Sequence, residues 1–427
     1  MRTVIVGAGA GGLELACMLG KDKARANDEV VVVDKGPTHI WKPLFHQVAA
    51  GTLNSFQDEL SYLYLGQRNG FRFELGPLKG VNPDRDRIHL GALRDQTGDV
   101  ALPERVIQYD RLVLALGSEV NDFGVPGVKE HAYFLDSREQ AENVHMSFLY
   151  ELARASVMQP DQRFDIAIVG AGATGVELAA EMSYALDAVR DYGGGVDRER
   201  TGITLIEQAP RVLPALPEDL AGEVQASLTD NLGINVECNA GVSEVKPDGV
   251  TLNDDRELDA RMVIWTAGVK GPSVLAESPA VETDKRGHVI VDRQLRSTGD
   301  ERIHAIGDCA AVPLDDEGGR IPPRAQAAHQ EAAYLAERLR KSDSNGKRQP
   351  FIYRDYGSLV SLANYTAYGK LFTGGKRSVK IDGWMAKAAY KSLYRGHQKT
   401  LVGFSGMMVD ALVDQLRKTM GPALKMH

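Results

Sequence analysis

The sequence predicts an α/β fold with two doubly wound, Rossmann-like domains. At two separate places a short apolar strand runs into a GxGxxG turn and then into a helix-forming stretch, and the 427-residue length exceeds what one hydrophobic core usually organises. Hydrophobic residues make up 43% and charged residues 25%, with no low-complexity tract, which leaves little room for long disorder. A formal net charge of −8 gives no reason to expect a nucleic-acid partner. Cys17, Cys238 and Cys309 are too far apart in sequence for a CxxC pair or a close-spaced metal set, which excludes a disulfide electron relay and leaves each as a small buried hydrophobe. The first strand starts at about Thr3, with no room for a signal core before it, and no run of 18 apolar residues occurs. The expectation is a protein inside the cell whose membrane contact, if any, is peripheral.

Residues 3–6 form the first strand and lead into Gly7, Gly9 and Gly12, with a helix over 13–19 behind them. The first glycine permits the tight turn, the second lets a pyrophosphate approach the backbone, and the third allows close helix–strand packing. A second strand ends in Asp34, 22 residues past Gly12, where an acid suits a ribose hydroxyl. The pattern recurs with the strand 165–169, then Gly170, Gly172 and Gly175, then a helix over 176–186. Its acid, Glu207, lies 32 residues past Gly175; the excess over the usual spacing of ~20 fits the Gly193-Gly194-Gly195 loop. Glu207 is expected to bind the adenine ribose and repel a 2′-phosphate, favouring NADH over NADPH, a preference that Arg211 tempers. A third segment, 303–308, ends in Gly307-Asp308, where a carboxylate can accept from a ribityl hydroxyl, so the first site is read as the FAD site. Two further strands ending in Gly117 and Gly268 close the two nucleotide-binding halves. The competing reading of each motif is a glycine turn without a ligand.

Taken with His39-Ile40-Trp41-Lys42-Pro43-Leu44, with Gly172-Ala173-Thr174-Gly175-Val176-Glu177-Leu178 and with Trp265-Thr266-Ala267-Gly268, these motifs make nearly the whole chain resemble the type II NADH:quinone oxidoreductases, single-chain peripheral respiratory flavoenzymes. The Ala325-Gln326-x-Ala328-x-Gln330 core is similar to that family's quinone-site motif. Its alanines admit a flat ring and its glutamines can donate to quinone carbonyls, although the same residues also suit a closely packed helix. The resemblance implies that Gln326 and Gln330 border a quinone tunnel beside the flavin and that Glu177 lies near nicotinamide and flavin. On its own, Glu177 is also a stabilising first-turn acid. The resemblance further suggests that Lys42 and His46 touch the flavin, against a reading in which Trp41 and Phe45 are core anchors and Lys42 is solvated. The implied reaction passes hydride from NADH to flavin N5 and two electrons on to ubiquinone or menaquinone, without proton pumping. His329 and Glu177 are the ionisable candidates for supplying quinol protons. Competing readings are a sulfide:quinone or ferredoxin-type reductase on the same scaffold and a flavoprotein redox sensor.

From Lys376 to the C-terminus the chain carries ten Lys or Arg against three Asp and no Glu, a basic tail on an acidic protein. On a helix, Lys387, Lys391, Arg395 and Lys399 recur every four residues opposite Met385, Ala389 and Leu393. A second amphipathic stretch runs over 407–420, and Trp384, Tyr390 and Tyr394 are placed as interfacial anchors. The expected organisation is an FAD-binding domain over 1–130 and 285–372, an NADH-binding domain over 131–284, and amphipathic membrane-associating helices over 373–427. These would meet a lipid bilayer surface at the cytoplasmic face of the cell membrane; the alternative is packing on the body or on a second copy in a homodimer.

Overall fold

The computed structural model describes residues 1–22, 28–82, 86–95, 97–157, 163–191, 200–315, 318–340, 349–372, 378–420 and 424; the expected Gly193-Gly194-Gly195 loop lies outside them. Two five-stranded parallel sheets organise the chain. In the first, the order is Ile303–Ala305, Arg111–Leu114, Arg2–Val6, Glu29–Asp34, Arg72–Leu75. In the second it is Ala132–Phe134, Met262–Trp265, Phe164–Val169, Thr201–Ile206, Asn235–Glu237. Each fingerprint strand is therefore the central one, covered on both faces. That is why Val4, Ile5 and Val6 form an unbroken apolar run, all buried, rather than alternating with polar residues.

The sheets differ in where the outermost strand comes from. In the first it is contributed late, by Ile303–Ala305; in the second it is contributed before the fingerprint, by Ala132–Phe134. The two connecting segments between the sheets pair with each other as an antiparallel ribbon, Glu119–Val120 against Val269–Lys270. Three antiparallel sheets were not legible in the sequence. One joins Leu78–Asn82, Arg87–Leu90 and Arg105–Gln108, another Val242–Lys246, Gly249–Leu252 and Glu257–Asp259, and a third Gly357–Leu362, Thr366–Phe372 and Ser378–Asp382.

The strand Ser378–Asp382 means that the segment after 372 does not begin as a helix. The helix that follows, Gly383–Met420, is broken at Gly403, whose φ of 77° and ψ of 172° are non-helical, giving helices over 383–402 and 404–420. The two differ in how they sit on the protein. The first is docked: Leu401 and Val402 are buried in the core of the first sheet, and their carbonyls, with that of Thr400, accept from Asn69, Arg68 and Lys21. The second exposes Phe404, Met408, Leu412 and Leu416 at every fourth position, with Val409 beside them. None of the described helices is long and apolar enough to cross a membrane.

This division makes the two helices respond differently to truncation of a leucine. Leu401→Ala should destabilise the protein by about 2–5 kcal/mol, whereas Leu412→Ala should stay within about 0.5 kcal/mol. Equilibrium denaturant unfolding of both variants checks the contrast.

Candidate active site

The turns of both fingerprints open onto one cleft of about 1890 Å³, several times the volume that a small ligand needs. The three glycines of each fingerprint do different work. Gly7 (φ 99°) and Gly170 (φ 104°) hold backbone conformations that disfavour a side chain. A Cβ on Gly12 would sit 2.0 Å from the Gly7 carbonyl oxygen, and one on Gly175 would sit 1.9 Å from that of Gly170. Protein packing alone accounts for these four. Gly9, Gly172 and Gly117 also line the cleft, and a Cβ there would meet no protein atom within 4 Å; Gly117 holds a left-handed φ of 75°, whereas Gly9 and Gly172 leave room for close approach of a ligand. Gly268 (φ 65°) does not line the cleft; a Cβ on it would strike Phe123.

The two acids are placed alike. Asp34 accepts from the N–H of Ala8, just after the first glycine, and from Gly36 (2.7 and 2.9 Å). Glu207 accepts from Ala171, at the equivalent place, and from Ala209 (2.8 and 2.9 Å). Each carboxylate pins its own turn and keeps lone pairs for a ribose hydroxyl. Asp34 lines the cleft, where burial pushes its carboxyl up against the pull of the Gly36 and Ala8 N–H groups. Glu207 is half-buried and outside the lining. The Arg211 guanidinium donates to the carbonyls of Leu213, Pro214 and Leu216.

Asp308 lies on the cleft lining, with its carboxyl raised by burial and drawn back by the Lys42 ammonium. The turn before it is fixed by the Gly307 N–H, which donates at 2.6 Å to Glu331, a buried acid that desolvation pushes up to about 7. Lys42 is not free in solvent: it pairs with Asp136 and reaches the Ser118 carbonyl. These groups suit an FAD whose pyrophosphate crosses Gly9 and whose ribityl chain meets Asp308.

Glu177 reaches the same cleft from the first turns of the second fingerprint helix, Ala173–Asp191. It is buried, accepts from the Ser361 N–H at 3.0 Å, and lies 3.5 Å from His46 Nδ1. Desolvation pushes its carboxyl up to about 8, assisted by the charge of Glu181 and opposed by hydrogen bonds from Ser361 and Tyr390. Burial pushes His46 down to about 3, so both groups are neutral near pH 7 and their contact is not an ion pair. The Nε2 of His46 has no protein partner and His46 lines the cleft, which keeps it available to a cofactor. Trp41 and Phe45 are buried, as core anchors would be.

The quinone motif is only partly brought to the cleft. Ala325 and Gln326 line it; Gln330 does not. The Gln326 amide donates to the Gly357 carbonyl and accepts from the Tyr356 N–H, while Gln330 exchanges hydrogen bonds with both backbone groups of Arg354. In this arrangement the glutamines position the strand that carries Ser361 rather than presenting free amides. The sequence reading missed Tyr390, expected at a lipid interface: it lines the cleft and hydrogen-bonds Glu177. Tyr394 likewise stacks on buried Trp41 with centroids 5.4 Å apart. Of the three aromatic anchors only Trp384 stays on the surface, 77% exposed.

Two parallel nucleotide folds opening on a shared cleft define a flavin- and pyridine-nucleotide-dependent oxidoreductase. Residues 1–332 match the family model for pyridine nucleotide-disulphide oxidoreductases. Over the full length of both chains the sequence is 38% identical to a Haemophilus influenzae protein named type II NADH:quinone oxidoreductase. It is 29% identical to a Staphylococcus aureus protein of that name, over 87% of this chain and 90% of the relative. The fold is similar to NDH2 from Plasmodium falciparum, solved in complex with NADH, with a TM-score of 0.82 at 20% identity and 99% of each chain covered. It also resembles the sulfide:quinone oxidoreductase of Aquifex aeolicus, with a TM-score of 0.71 at 18% identity over 98% of this chain and 95% of that one. The chain belongs to the pyridine nucleotide-disulphide oxidoreductase family and, within it, to the type II NADH:quinone oxidoreductases. Its cysteines are free; Cys17 and Cys309 are buried, with thiols that burial pushes up to about 12, and Cys238 is half-buried.

Glu207→Gln keeps an acceptor for the turn while removing the charge that repels a 2′-phosphate. It should narrow the NADH over NADPH preference in kcat/KM by roughly tenfold, measured by steady-state kinetics with both donors. Glu177 generates a pH effect. Its folded pKa lies above the ordinary value of 4.5, so its contribution to stability is fully present below that value and is lost as pH rises through about 8. Between pH 7 and 9 the wild type should lose about 1 kcal/mol more stability than Glu177→Gln, which thermal unfolding at both pH values would reveal.

Proposed function

We propose that this chain oxidises NADH and reduces a membrane quinone through FAD, as a peripheral respiratory enzyme that pumps no protons. The observation that carries the reading is that both fingerprint turns, Asp308 and the neutral acid Glu177 line one continuous cleft. Bound FAD supplies the hydride acceptor, at N5, and the two-electron donor to quinone. The residues of the chain bind, orient and shield. The N-terminus of the helix Ala10–Gly20 receives the FAD pyrophosphate over Gly9, and that of Ala173–Asp191 receives the NADH pyrophosphate over Gly172. Asp34 and Glu207 take the two riboses, Asp308 the ribityl chain, and Lys42 holds the Gly117-Ser118 loop against Asp136. Glu177 holds a proton at the cleft wall. Ala325 leaves room for a flat ring, and Gln326 and Gln330 act by positioning the 354–357 loop.

The division of the chain follows the same logic: residues 1–130 and 285–372 form the FAD-binding unit and 131–284 the NADH-binding unit. The helix over 383–402 is assigned to the FAD unit and that over 404–420 to the bilayer, with the apolar stripe from Phe404 to Leu416 facing lipid at the cytoplasmic side. Basic residues supply less of the attraction than their spacing suggests. Lys387 donates to the Asn364 carbonyl and Arg395 pairs with Asp414, so both are drawn into internal contacts. A homodimer burying the stripe is the competing occupant.

Anaerobic stopped-flow mixing of the holoenzyme with NADH, then with a short-chain quinone, tests the activity: the flavin should bleach and then recover. NADH that bleaches nothing, or quinone that restores nothing, would overturn it. The double variant Leu412→Glu, Leu416→Glu should lose at least tenfold in binding to anionic vesicles, measured by co-sedimentation, because it places two charges in the apolar stripe. Unchanged sedimentation, with a dimer dissociating instead, would reassign the stripe.

A further inference from the structure

A chain of four titratable side chains, three of them buried, links four separate elements beside the cleft, and none of the roles assigned above uses it as a unit. Glu14, on the first fingerprint helix, is 2% exposed. Its Oε2 lies 2.5 Å from Nδ1 of His329, on the helix Ala325–Arg340, and its Oε1 lies 2.6 Å from Nδ1 of His397, on the helix over 383–402. The Nε2 of His397 in turn meets Nε2 of His39 at 2.8 Å, and Nδ1 of His39 lies 3.2 Å from the Ala8 carbonyl. His397 and His39 are 4% and 5% exposed, whereas the His329 side chain is 53% exposed. All four line the cleft.

The carbonyl at one end sets the proton order along the chain. Ala8 C=O can only accept, so His39 must donate from Nδ1. Buried His39 is pushed down to about 3 by desolvation and stays neutral, which leaves its Nε2 bare. His397 must then donate from Nε2, and its Nδ1 faces Glu14 across a single shared proton position. Burial pushes the Glu14 carboxyl up, but hydrogen bonds from His329 and His397 outweigh this and hold it below its ordinary value, while the Glu14 bond raises His329. The other ionisable groups nearby are Cys17 on the same helix and Lys21 just beyond its end, Tyr62 beside His39 with Asp34 acting on Tyr62, and Arg395 two residues before His397.

We propose that His329, Glu14 and His397 form a proton relay that carries the solvent proton consumed in quinone reduction from the exposed edge of His329 to the cleft wall. The inference rests on the activity proposed above. NADH, one proton and quinone give NAD⁺ and quinol; the hydride brings both electrons and one hydrogen, so one proton must enter from the medium. Water protonates His329 at Nε2, and the Nδ1–H bond breaks as the Glu14 Oε2–H bond forms. The carboxyl turns, and its O–H bond breaks as the Nδ1–H bond of His397 forms. The contact between His397 and His39 opens at the cleft wall, and the Nε2–H bond of His397 breaks as the quinol O–H bond is made. Glu14 and His329 are positioning and relay residues; neither is required to touch the quinone.

The two half-reactions separate this role from a structural one, because hydride transfer from NADH needs no solvent proton. In stopped-flow experiments on FAD-loaded Glu14→Gln and His329→Ala at pH 8, reoxidation by a short-chain quinone should slow by about tenfold more than reduction by NADH. Free imidazole should restore reoxidation in His329→Ala. Equal slowing of both halves, or no rescue by imidazole, would overturn the relay. Should Glu14→Gln fail to retain FAD, His329→Ala decides alone, since its side chain is half in solvent. If unaltered enzyme is reduced by NADH but not reoxidised by quinone, the parent reading falls and the relay with it.

Discussion

The close packing of each fingerprint helix against its own turn is the constraint on which the rest of the structure depends. Gly12 lies against the Gly7 carbonyl and Gly175 against that of Gly170, at separations where no Cβ fits. This places each helix N-terminus at the end of the central strand, where its unsatisfied N–H groups and partial positive charge face the cleft. Asp34 and Glu207 then lock the turns from the neighbouring strand through Ala8 and Ala171. Because both halves repeat the device, two diphosphates can be held on opposite sides of one cleft, which is the geometrical requirement for hydride transfer between two bound cofactors.

Electrostatics around the cleft follow from burial more than from pairing. Glu177 and Glu331 have raised carboxyls with desolvation as the largest cause, and His46 and His39 are neutral for the same reason. A site that binds two anionic dinucleotides gains from keeping its own acids uncharged, since every additional fixed negative charge in a water-poor cleft would oppose them. Glu14 is buried too, yet it is held below its ordinary value, because two histidines compensate it.

The parts of the fold legible in the sequence were those governed by local rules. Glycine spacing, strand length and the acid after the second strand read out both fingerprints, because each motif is satisfied within a few tens of residues. Asp308 was legible for the same reason. The three antiparallel sheets were not, since short strands such as Val242–Lys246 carry weak alternation and pair only through hairpin geometry. Nor could spacing show that Gln330 turns to the Arg354 backbone, which depends on an irregular loop with no motif of its own, or that Tyr390 turns inward to Glu177, a partner far away in sequence. The amphipathic period of the tail located the helix over 383–402, whose Met385 and Leu393 are exposed, but could not show that its end packs into the protein at Leu401 and Val402, because a helical wheel reads the same whichever apolar phase covers it.

The helix over 383–402 runs between the cleft and the protein surface. Tyr390, Leu393 and His397 line the cleft from one face of this helix, while Trp384 and Met385 at its start are exposed. Beyond Gly403 the chain turns into a stripe of exposed apolar side chains, tied back by the Arg395–Asp414 pair. The break at Gly403 separates the two helices, because its non-helical backbone lets the second leave the direction of the first and expose its stripe without pulling Leu401 and Val402 from the core.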